Sequence, residues 1–215
     1  FISAAIKKGS KIIVTENKTK KKIDGALYIR TKNIRKLFSE IAFKIHKIIP
    51  KNLIAVTGTN GKSSIANFYY QILRLNKKKV ASIGTLGVRS DKINHSLPNT
   101  TVDPLYLGQI LKKLKGSKID NVIMEASSHG LKQHRLDGLQ FSTGIFTNLS
   151  QDHIDYHKNF RNYFKAKLYL FEKLIKPRGS VITDDKIPEF KKIQSVSKKR
   201  GLSIYTLNNH AKNFR

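Results

Sequence analysis

The chain has 215 residues, of which 39% are hydrophobic, and this is enough for a substantial core. Cysteine is absent, which excludes disulfide bonds and thiol catalysis, and no apolar run approaches the roughly 20 residues of a membrane-spanning helix. The formal net charge is +28, from 42 Lys+Arg against 14 Asp+Glu, and this favours anionic ligands by long-range attraction.

The first predicted elements are two short strands and a helix. Residues 12–14 and 26–29 are apolar runs separated by a polar, basic turn, a pattern typical of strands. From residue 33 to residue 49 the apolar side chains recur at helical spacing. Asn33 is a candidate N-cap for this helix, and Pro50 ends it.

A glycine-containing loop then follows the next strand. Residues 53–56 form an apolar run that predicts a buried strand, and residues 65–73 have helical periodicity. In a strand–loop–helix unit the backbone N–H groups and the helix dipole attract phosphate. Lys62 would approach the β- and γ-phosphates and Ser63 would ligate Mg²⁺, although the general motif has glycine where this chain has Val56. We predict a nucleotide site formed by Gly58, Thr59, Asn60, Gly61, Lys62, Ser63 and Ser64.

Strands and helices alternate through the rest of the chain. Alternation of this kind predicts an α/β fold with a doubly wound, mostly parallel sheet. Ligands of such sheets bind at the carboxyl ends of the strands. Strands are expected at residues 80–83, 121–124, 142–146, 180–183 and 202–205, and helices at 103–114 and 163–175, the second helix being stopped by Pro177.

Three polar segments follow predicted strands and would face the same edge of the sheet. Residues 97–104 precede a helix, which Thr101 or Asp103 would cap. Glu125 ends an apolar strand, a position suited to Mg²⁺ binding, but an ordinary surface acid is the alternative. The serines that follow it lack a G-x-S-x-G elbow, so a nucleophilic serine is not favoured. The third segment, residues 146–157, contains an Asp-His-x-Asp cluster that indicates metal or phosphate handling, or else simple helix capping.

Lys167 lies within an apolar helical stretch. A lysine on a partly buried face loses its charge more readily, and it can then be catalytic or chemically modified. The alternative is a lysine whose aliphatic stem is buried while its ammonium reaches solvent. The sequence alone leaves both interpretations open.

Taken together, these segments resemble the Mur ligase family. The shared motifs are Thr-Gly-Thr-Asn-Gly-Lys-Ser, Asn-Thr-Thr-x-Asp-Pro, Glu-Ala-Ser-Ser-His-Gly-Leu-x-x-x-Arg, Phe-Thr-Asn-Leu-Ser-x-Asp-His-x-Asp-Tyr-His and Tyr-Phe-x-Ala-Lys. Within the family, the third and fourth motifs are most similar to those of the member that adds a diamino acid to UDP-MurNAc-L-Ala-D-Glu. The resemblance extends over the whole chain. It implies the family's central, P-loop ATPase-like domain at residues 50–215, preceded at residues 1–49 by the tail of an N-terminal domain that binds the UDP substrate.

The resemblance implies an ATP- and Mg²⁺-dependent amide ligase of peptidoglycan synthesis. ATP would phosphorylate the D-glutamyl carboxylate, and the amine of a diamino acid, diaminopimelate or L-lysine, would attack the acyl phosphate. It further implies a cytoplasmic, monomeric protein whose partners are the UDP-MurNAc-dipeptide and the diamino acid, with neither nucleic acid nor membrane.

The resemblance also implies roles for individual residues. Lys62 would neutralise the γ-phosphate, Ser63 and Glu125 would hold one Mg²⁺, and a second would be held by His153 and by Lys167 after carbamylation with CO₂. Lys62, Lys167 and His153 would thus be the catalytic residues. The muramoyl-peptide substrate would be bound by Asn99, Thr100, Thr101, Ser127, Gln133 and Arg135.

Two features limit this interpretation. The chain begins with Phe1, and compared with the family most of the uridine-binding part is missing and the acceptor-specifying C-terminal domain is absent, so we expect a fragment that is not a complete ligase. The alternatives are a folylpolyglutamate synthase-like ligase, which shares Thr-Gly-Thr-Asn-Gly-Lys, and a basic nucleic-acid-binding P-loop protein. The serine- and histidine-containing motifs argue against the first. The second would gather its lysines on one face together with stacking aromatics, whereas here the lysines are scattered.

Overall fold

The computed structural model describes residues 1–18, 22–23, 25–46 and 48–207. These residues begin with helix α1 (Ile2–Lys7) and a small sheet. The sheet contains β1 (Ile12–Thr15), β2 (Lys22–Ile23) and β3 (Ala26–Arg30), and β3 lies between the other two. The strands predicted at 12–14 and 26–29 are confirmed, whereas α1 and β2 are additional elements.

Helix α2 (Ile34–Ile45) leads from the small sheet to the main sheet. Asn33 caps it as predicted, because its side-chain oxygen accepts a hydrogen bond from the Lys36 N–H at 2.9 Å. The helix ends before the predicted residue 49, and Lys47 lies outside the described residues.

The main sheet has eight strands within the described residues. In chain order they are β4 (Asn52–Thr57), β5 (Val80–Gly84), β6 (Gly87–Ser90), β7 (Asn94–His95), β8 (Asn121–Glu125), β9 (Phe141–Phe146), β10 (Ile175–Thr183) and β11 (Ser203–Thr206). In space the order is β11-β10-β9-β4-β8-β5-β6-β7. Strands β11 to β5 in this order are parallel, while β6 and β7 pair antiparallel at the edge. The doubly wound, mostly parallel fold is therefore confirmed.

Six further helices connect or follow these strands in the described part of the chain. They are α3 (Lys62–Leu75), α4 (Pro104–Gly116), α5 (Ser128–Lys132), α6 (Ile154–His157), α7 (Phe160–Tyr169) and α8 (Phe190–Lys199). Asp103 caps α4, since its carboxylate accepts the N–H groups of Leu105 and Tyr106 at 3.1 Å each. None of the described helices has the length and apolar content that a membrane span requires.

The topology brings the segments after several strands to one edge of the sheet. β4 lies between β8 and β9, and parallel pairing aligns their carboxyl ends. Val56 is paired with Glu125 on one side and with Ile145 on the other. The loop after β4 therefore lies beside the segments that begin at Ala126 and Thr147.

The stretch predicted as one helix over residues 163–175 has a different structure. Helix α7 ends at Tyr169, a π-helical turn (Leu170–Leu174) follows, and β10 begins directly at Ile175. Pro177 lies within β10, so the prediction that it stops the helix is wrong. The register of β10 against β9 shifts between Ile175 and Ser180, and this irregular stretch accommodates a residue without an N–H group. The predicted end of the central domain, residues 208–215, lies outside the described residues.

Candidate active site

The loop between β4 and α3 forms a backbone-lined cradle. Gly58 and Gly61 have φ angles of 147° and 82°, which favour glycine. A Cβ at Gly58 would collide with the side chain of Thr147. Gly61 is the N-cap of α3 and supplies no side-chain cap, so the first N–H groups of this helix point toward a space that no capping side chain fills.

The segment after β9 fixes the conformation of this loop. The Thr59 N–H donates to the Asn148 carbonyl at 2.9 Å, and the Asn60 N–H donates to Asn148 Oδ1 at 3.0 Å. Thr147 Oγ1 donates to the Asn60 carbonyl at 2.7 Å. Because these contacts join residues about 90 positions apart in the chain, the loop is held in place by tertiary structure.

Lys62 lies at the start of α3 with its ammonium turned back over the loop. Its Nζ donates to the carbonyls of Gly58 and Thr59 at 3.1 and 2.7 Å. Burial lowers the pKa of Lys62, and the negative charges of Glu125 and Asp152 oppose this shift. The ammonium therefore lies beside the cradle, where it could pair with a bound anion.

Glu125, at the end of β8, is a buried carboxylate that accepts hydrogen bonds from Ser63 of α3 and from Thr85, which follows β5. Its residue is only 3% exposed. Ser63 Oγ donates to Oε2 at 3.0 Å, the Thr85 N–H donates to Oε1 at 2.9 Å, and Thr85 Oγ1 donates to Oε2 at 3.1 Å. A Cβ at Gly84 would overlap this carboxylate, so glycine at that position makes the close approach possible. The fold thus brings together Ser63 and Glu125, the two residues expected to share one Mg²⁺.

Lys167, on α7, is buried and points into the same cradle. It is 1% exposed, its Nζ donates to the Gly58 carbonyl at 2.6 Å, and the ammonium lies 4.4 Å from the centroid of the Tyr163 ring. Burial and then the positive charge of Lys62 lower the pKa of Lys167 to about 7, while Asp152 opposes the shift. The alternative of a lysine that extends to solvent is therefore wrong, because the whole side chain is buried.

His153 lies at the rim of the cradle. Its backbone is left-handed, with φ 52°, and its side chain is half exposed. Its Nε2 lies 3.4 Å from Asp152 Oδ2, and its ring meets that of His129 edge-on at 4.8 Å. Within the described residues, no group of three or more His, Cys, Asp or Glu side chains converges as a ready-made metal site. A metal ion in this cavity would therefore need further ligands of other kinds, such as hydroxyl groups, water or the oxygens of a bound anion.

These residues enclose a cavity of about 340 Å³, which we call the phosphate-loop cavity. Most of the predicted nucleotide-site residues line it, together with residues from the other polar segments. Its lining residues are Thr59, Asn60, Gly61, Lys62, Ser63, Ser64, Thr85, Thr100, Glu125, Ser127, Ser128, Asp152, His153, Tyr163 and Lys167. Two cations, one buried carboxylate and a helix N-terminus suit it to a polyanionic ligand that carries its own counter-cation.

The residues predicted to bind the muramoyl-peptide substrate separate into four groups. Thr100 and Ser127 line the phosphate-loop cavity, whereas Asn99 is exposed and is not among its lining residues. Thr101 is buried and joins the walls of the cavity, since its Oγ1 donates to the Glu125 carbonyl and accepts the Ser127 N–H, both at 3.0 Å.

Gln133 and Arg135 face a different pocket, of about 190 Å³. We call it the arginine pocket, and its lining residues are Arg35, Phe38, Ser39, Pro104, Gln133 and Arg135. Arg135 is oriented by two hydrogen bonds, from Nη1 to the Thr101 carbonyl at 2.5 Å and from Nε to Gln133 Oε1 at 3.0 Å. The bond to Thr101 connects the pocket to the wall of the phosphate-loop cavity.

Four lining residues of the phosphate-loop cavity were not predicted as site residues: Thr85, Ser128, Asp152 and Tyr163. Asp152 and Tyr163 occur within the motifs that carry the family resemblance, but their own contacts are visible only in the fold. Tyr163 OH and Thr59 Oγ1 lie 3.1 Å apart, which links α7 to the loop. Thr85 directly follows β5 and lies two residues after the end of the strand predicted at 80–83, and a hydroxyl residue near a strand's carboxyl end is the signal that could have identified it.

Ser128 and His157 form a pair that resembles a hydrolase dyad but lacks its chemistry. Ser128 Oγ and His157 Nε2 lie 3.0 Å apart, and the two residues are 2% and 0% exposed. Burial and the charge of Lys132 lower the pKa of His157 to about 4, so the imidazole is neutral near pH 7. His157 Nδ1 has no hydrogen-bond partner among the described residues, so no carboxylate orients the ring as in a serine hydrolase.

Comparisons with known proteins match the chain to one family over most of its length. The family model of the Mur ligase middle domain matches residues 56–215. The UDP-N-acetylmuramoyl-L-alanyl-D-glutamate--2,6-diaminopimelate ligase of Zymomonas mobilis is 39% identical over 215 residues, which is 100% of this chain and 44% of that protein. The chain therefore spans less than half the length of this relative.

Solved structures give the same result at the level of the fold. A structure of UDP-N-acetylmuramoyl-L-alanyl-D-glutamate--2,6-diaminopimelate ligase superposes with a TM-score of 0.80 at 25% identity, over 97% of this chain and 42% of that one. A bifunctional folylpolyglutamate synthase/dihydrofolate synthase with Mn, AMPPNP and L-glutamate bound gives a TM-score of 0.62 at 16% identity, over 79% of this chain and 47% of that one. The second match shows a shared fold only.

Proposed function

The chain belongs to the Mur ligase family, and on that premise we propose that its phosphate-loop cavity binds ATP with Mg²⁺ for the phosphoryl-transfer half of an amide ligation. The observation that carries this proposal is the convergence of three groups on one cradle: the Lys62 ammonium, the Ser63–Glu125 pair and the buried Lys167. Residues 58–64 would hold the phosphates through backbone N–H groups, and Lys62 would exchange its loop carbonyls for the γ-phosphate.

The donor set of the cavity fits Mg²⁺ held jointly with a nucleotide. Mg²⁺ in such sites takes one or two protein ligands and completes its shell with phosphate oxygens and water. Ser63 and Glu125 supply one hydroxyl and one buried carboxylate, side by side. His153 and a carbamylated Lys167 would hold a second ion. Bound Mg²⁺ would neutralise charge on the transferring phosphoryl group.

Lys167 is suited to carbamylation. A pKa of about 7 leaves much of this lysine as the neutral amine at physiological pH, and the neutral amine is the form that attacks CO₂. Attack forms an N–C bond and releases one proton, so the side chain becomes an anion. This change would replace repulsion between Lys62 and Lys167 by attraction and would add hard oxygen ligands to the cavity.

The second substrate would be UDP-MurNAc-L-Ala-D-Glu, and the acceptor 2,6-diaminopimelate, as in the names of the relatives. Thr100 and Ser127 would contact the dipeptide end beside the phosphates, while Gln133 and Arg135 would bind a more distant part of the molecule. We place residues 1–49 with the domain that binds the UDP substrate and residues 50–215 with the ATP-binding domain, in a monomeric cytoplasmic protein.

A chimeric ligase tests this proposal. In it, this chain replaces the matching 44% of the Zymomonas mobilis relative. With ATP and Mg²⁺, ADP release should require both UDP-MurNAc-L-Ala-D-Glu and 2,6-diaminopimelate, and the tripeptide product should appear by chromatography. The parent ligase serves as the positive control. ADP release that depends on a folate and glutamate, with no muramoyl product, would contradict the proposal and favour the folylpolyglutamate synthase alternative.

A further inference from the structure

The arginine pocket contains a residue that has no role in the function proposed above. Helix α2 contributes Arg35, and the segment after α5 contributes Arg135 from the other side. Arg35 lies in the part of the chain that precedes the main sheet, and it occurs in none of the family's shared motifs.

The position of α2 beside Arg135 is fixed by close packing. Ser39 is 1% exposed, and its Oγ donates to the His134 carbonyl at 2.5 Å. At Gly138, where φ is 98°, the α2 backbone approaches so closely that a Cβ would lie 3.0 Å from the Glu40 Cα. This packing of α2 places Arg35 and Arg135 on the same pocket.

The charges of this pocket are uncompensated. No carboxylate lines it. Within residues 1–18, 25–46 and 48–207, the Arg35 guanidinium has no hydrogen bond or ion pair, and the acid on its own helix, Glu40, lies 3.9 Å from Lys36. Arg135 uses Nε and Nη1 for its contacts with Gln133 and Thr101, which leaves Nη2 available. Two arginines that line one pocket without an acid create a positive potential suited to an anion.

We propose that Arg35 and Arg135 together bind one anionic group, a phosphate or a carboxylate, of the muramoyl-peptide substrate. This assignment rests on the proposed function for the identity of the substrate, but the geometry of the pocket stands independently of it. A guanidinium binds either kind of oxyanion through parallel N–H···O bonds. Arg35 is then a binding residue that connects α2 to the substrate and makes affinity depend on the packing of α2.

The arginine side chains can be observed directly by NMR of the 215-residue chain. The Nε–Hε resonances of Arg35 and Arg135 are followed during titration with inorganic diphosphate and, separately, with MurNAc-L-Ala-D-Glu, which carries carboxylates but no phosphate. We expect one of these probes to shift both resonances in a saturable way, and the probe that does so identifies the group. Arg35→Gln should weaken that binding about tenfold, the value for one charge-assisted hydrogen bond. Arg35→Lys should retain part of it.

Lys44→Gln is the matched control, since it removes one exposed positive charge from the last turn of the same helix. If neither probe shifts Arg35, or if Lys44→Gln weakens binding as much as Arg35→Gln, the assignment is wrong and only general charge is at work. Mg²⁺·AMPPNP is titrated into the same sample. Failure of the nucleotide to bind counts against the proposed function. An Arg35 resonance that neither anionic probe shifts counts against the arginine assignment alone.

Discussion

The phosphate-loop cavity and the arginine pocket hold their charges in opposite ways. In the cavity, Lys62 and Lys167 share the Gly58 carbonyl, and the charge of Asp152 acts on both. Lys62 is also affected by Glu125, a buried carboxylate that accepts three hydrogen bonds. Two arginines line the arginine pocket, and no acid lines it. One site places carboxylates beside its cations, whereas the other is lined by arginines without an acid.

This difference predicts how each site responds to substitution. Charges that are buried and coupled are expensive to disturb, because each one compensates for the desolvation of another. Charges at a half-open pocket are screened by water and contribute mainly to affinity. Substitutions in the cavity should therefore abolish turnover, and substitutions in the arginine pocket should change the binding of one substrate.

Lys167 should give the largest effect. In the chimeric ligase, Lys167→Ala should reduce ligation by about a thousandfold, because the cavity loses the anionic oxygens that would bind a metal ion. Added acetate or formate should restore part of the activity by supplying such oxygens in the vacated space. Lys167→Arg should stay inactive, since a guanidinium remains positive. Near-full activity of Lys167→Arg, or no rescue across a wide range of acetate concentrations, would contradict the carbamate role.

The lowered pKa of Lys167 should also appear in the stability of the chain. The group has a pKa of about 7 when folded and 10.5 as its ordinary value, so between these values the unfolded state binds more protons. The contribution of Lys167 to the free energy of unfolding therefore rises with pH across this window and is least favourable at pH 7 and below.

Replacement by methionine tests this effect. In bicarbonate-free buffer, wild type should gain on the order of 3 kcal/mol more than Lys167→Met between pH 7 and pH 9.5, at about 1.4 kcal/mol per pKa unit. Urea denaturation at several pH values measures the difference. Parallel pH profiles for the two proteins would show that Lys167 keeps an ordinary pKa.

Lys62 comes next. Lys62→Ala should lower turnover of the chimeric ligase by about a hundredfold even with saturating ATP, through lost charge stabilisation of the transferring phosphoryl group. Circular dichroism should be unchanged, because the hydrogen bonds from Thr147 and Asn148 still hold the loop. Unchanged turnover would overturn the assignment of this loop as the phosphate site.

Arg135 should give the smallest change and the most selective one. Arg135→Lys should weaken binding of UDP-MurNAc-L-Ala-D-Glu to the chimeric ligase about tenfold, because lysine cannot reproduce the planar fork. Binding of Mg²⁺·AMPPNP should change by less than about twofold. Calorimetry with each ligand measures both values, and equal losses would mean that Arg135 acts only by anchoring Thr101.

Local signals account for what the sequence predicted well. β4 and β8 are apolar runs because both faces are buried, and Asn33 and Asp103 are recognisable caps because capping acts within three residues. The phosphate loop was recognisable for the same reason, since its chemistry lies within the seven consecutive residues 58–64.

Long-range packing decides the parts that were missed. The register shift that places Pro177 inside β10 depends on β9, a strand more than 30 residues earlier. Arg35 became a candidate only when Ser39 and Gly138 showed where α2 packs. Asn99 was grouped with Thr100 and Thr101 by adjacency in sequence, yet it is exposed and outside the cavity lining.

Nucleotide binding by the chain itself tests the central claim most directly. Calorimetric titration with Mg²⁺·AMPPNP should show a single site for wild type, and binding should weaken strongly when EDTA removes the metal. Lys62→Ala should abolish the signal, whereas Lys78→Ala, which removes an exposed charge just beyond α3, should bind like wild type. Equal binding by Lys62→Ala and Lys78→Ala would contradict the claim that this cavity holds a metal-bound nucleotide. An affinity for AMPPNP that EDTA leaves unchanged would contradict it as well.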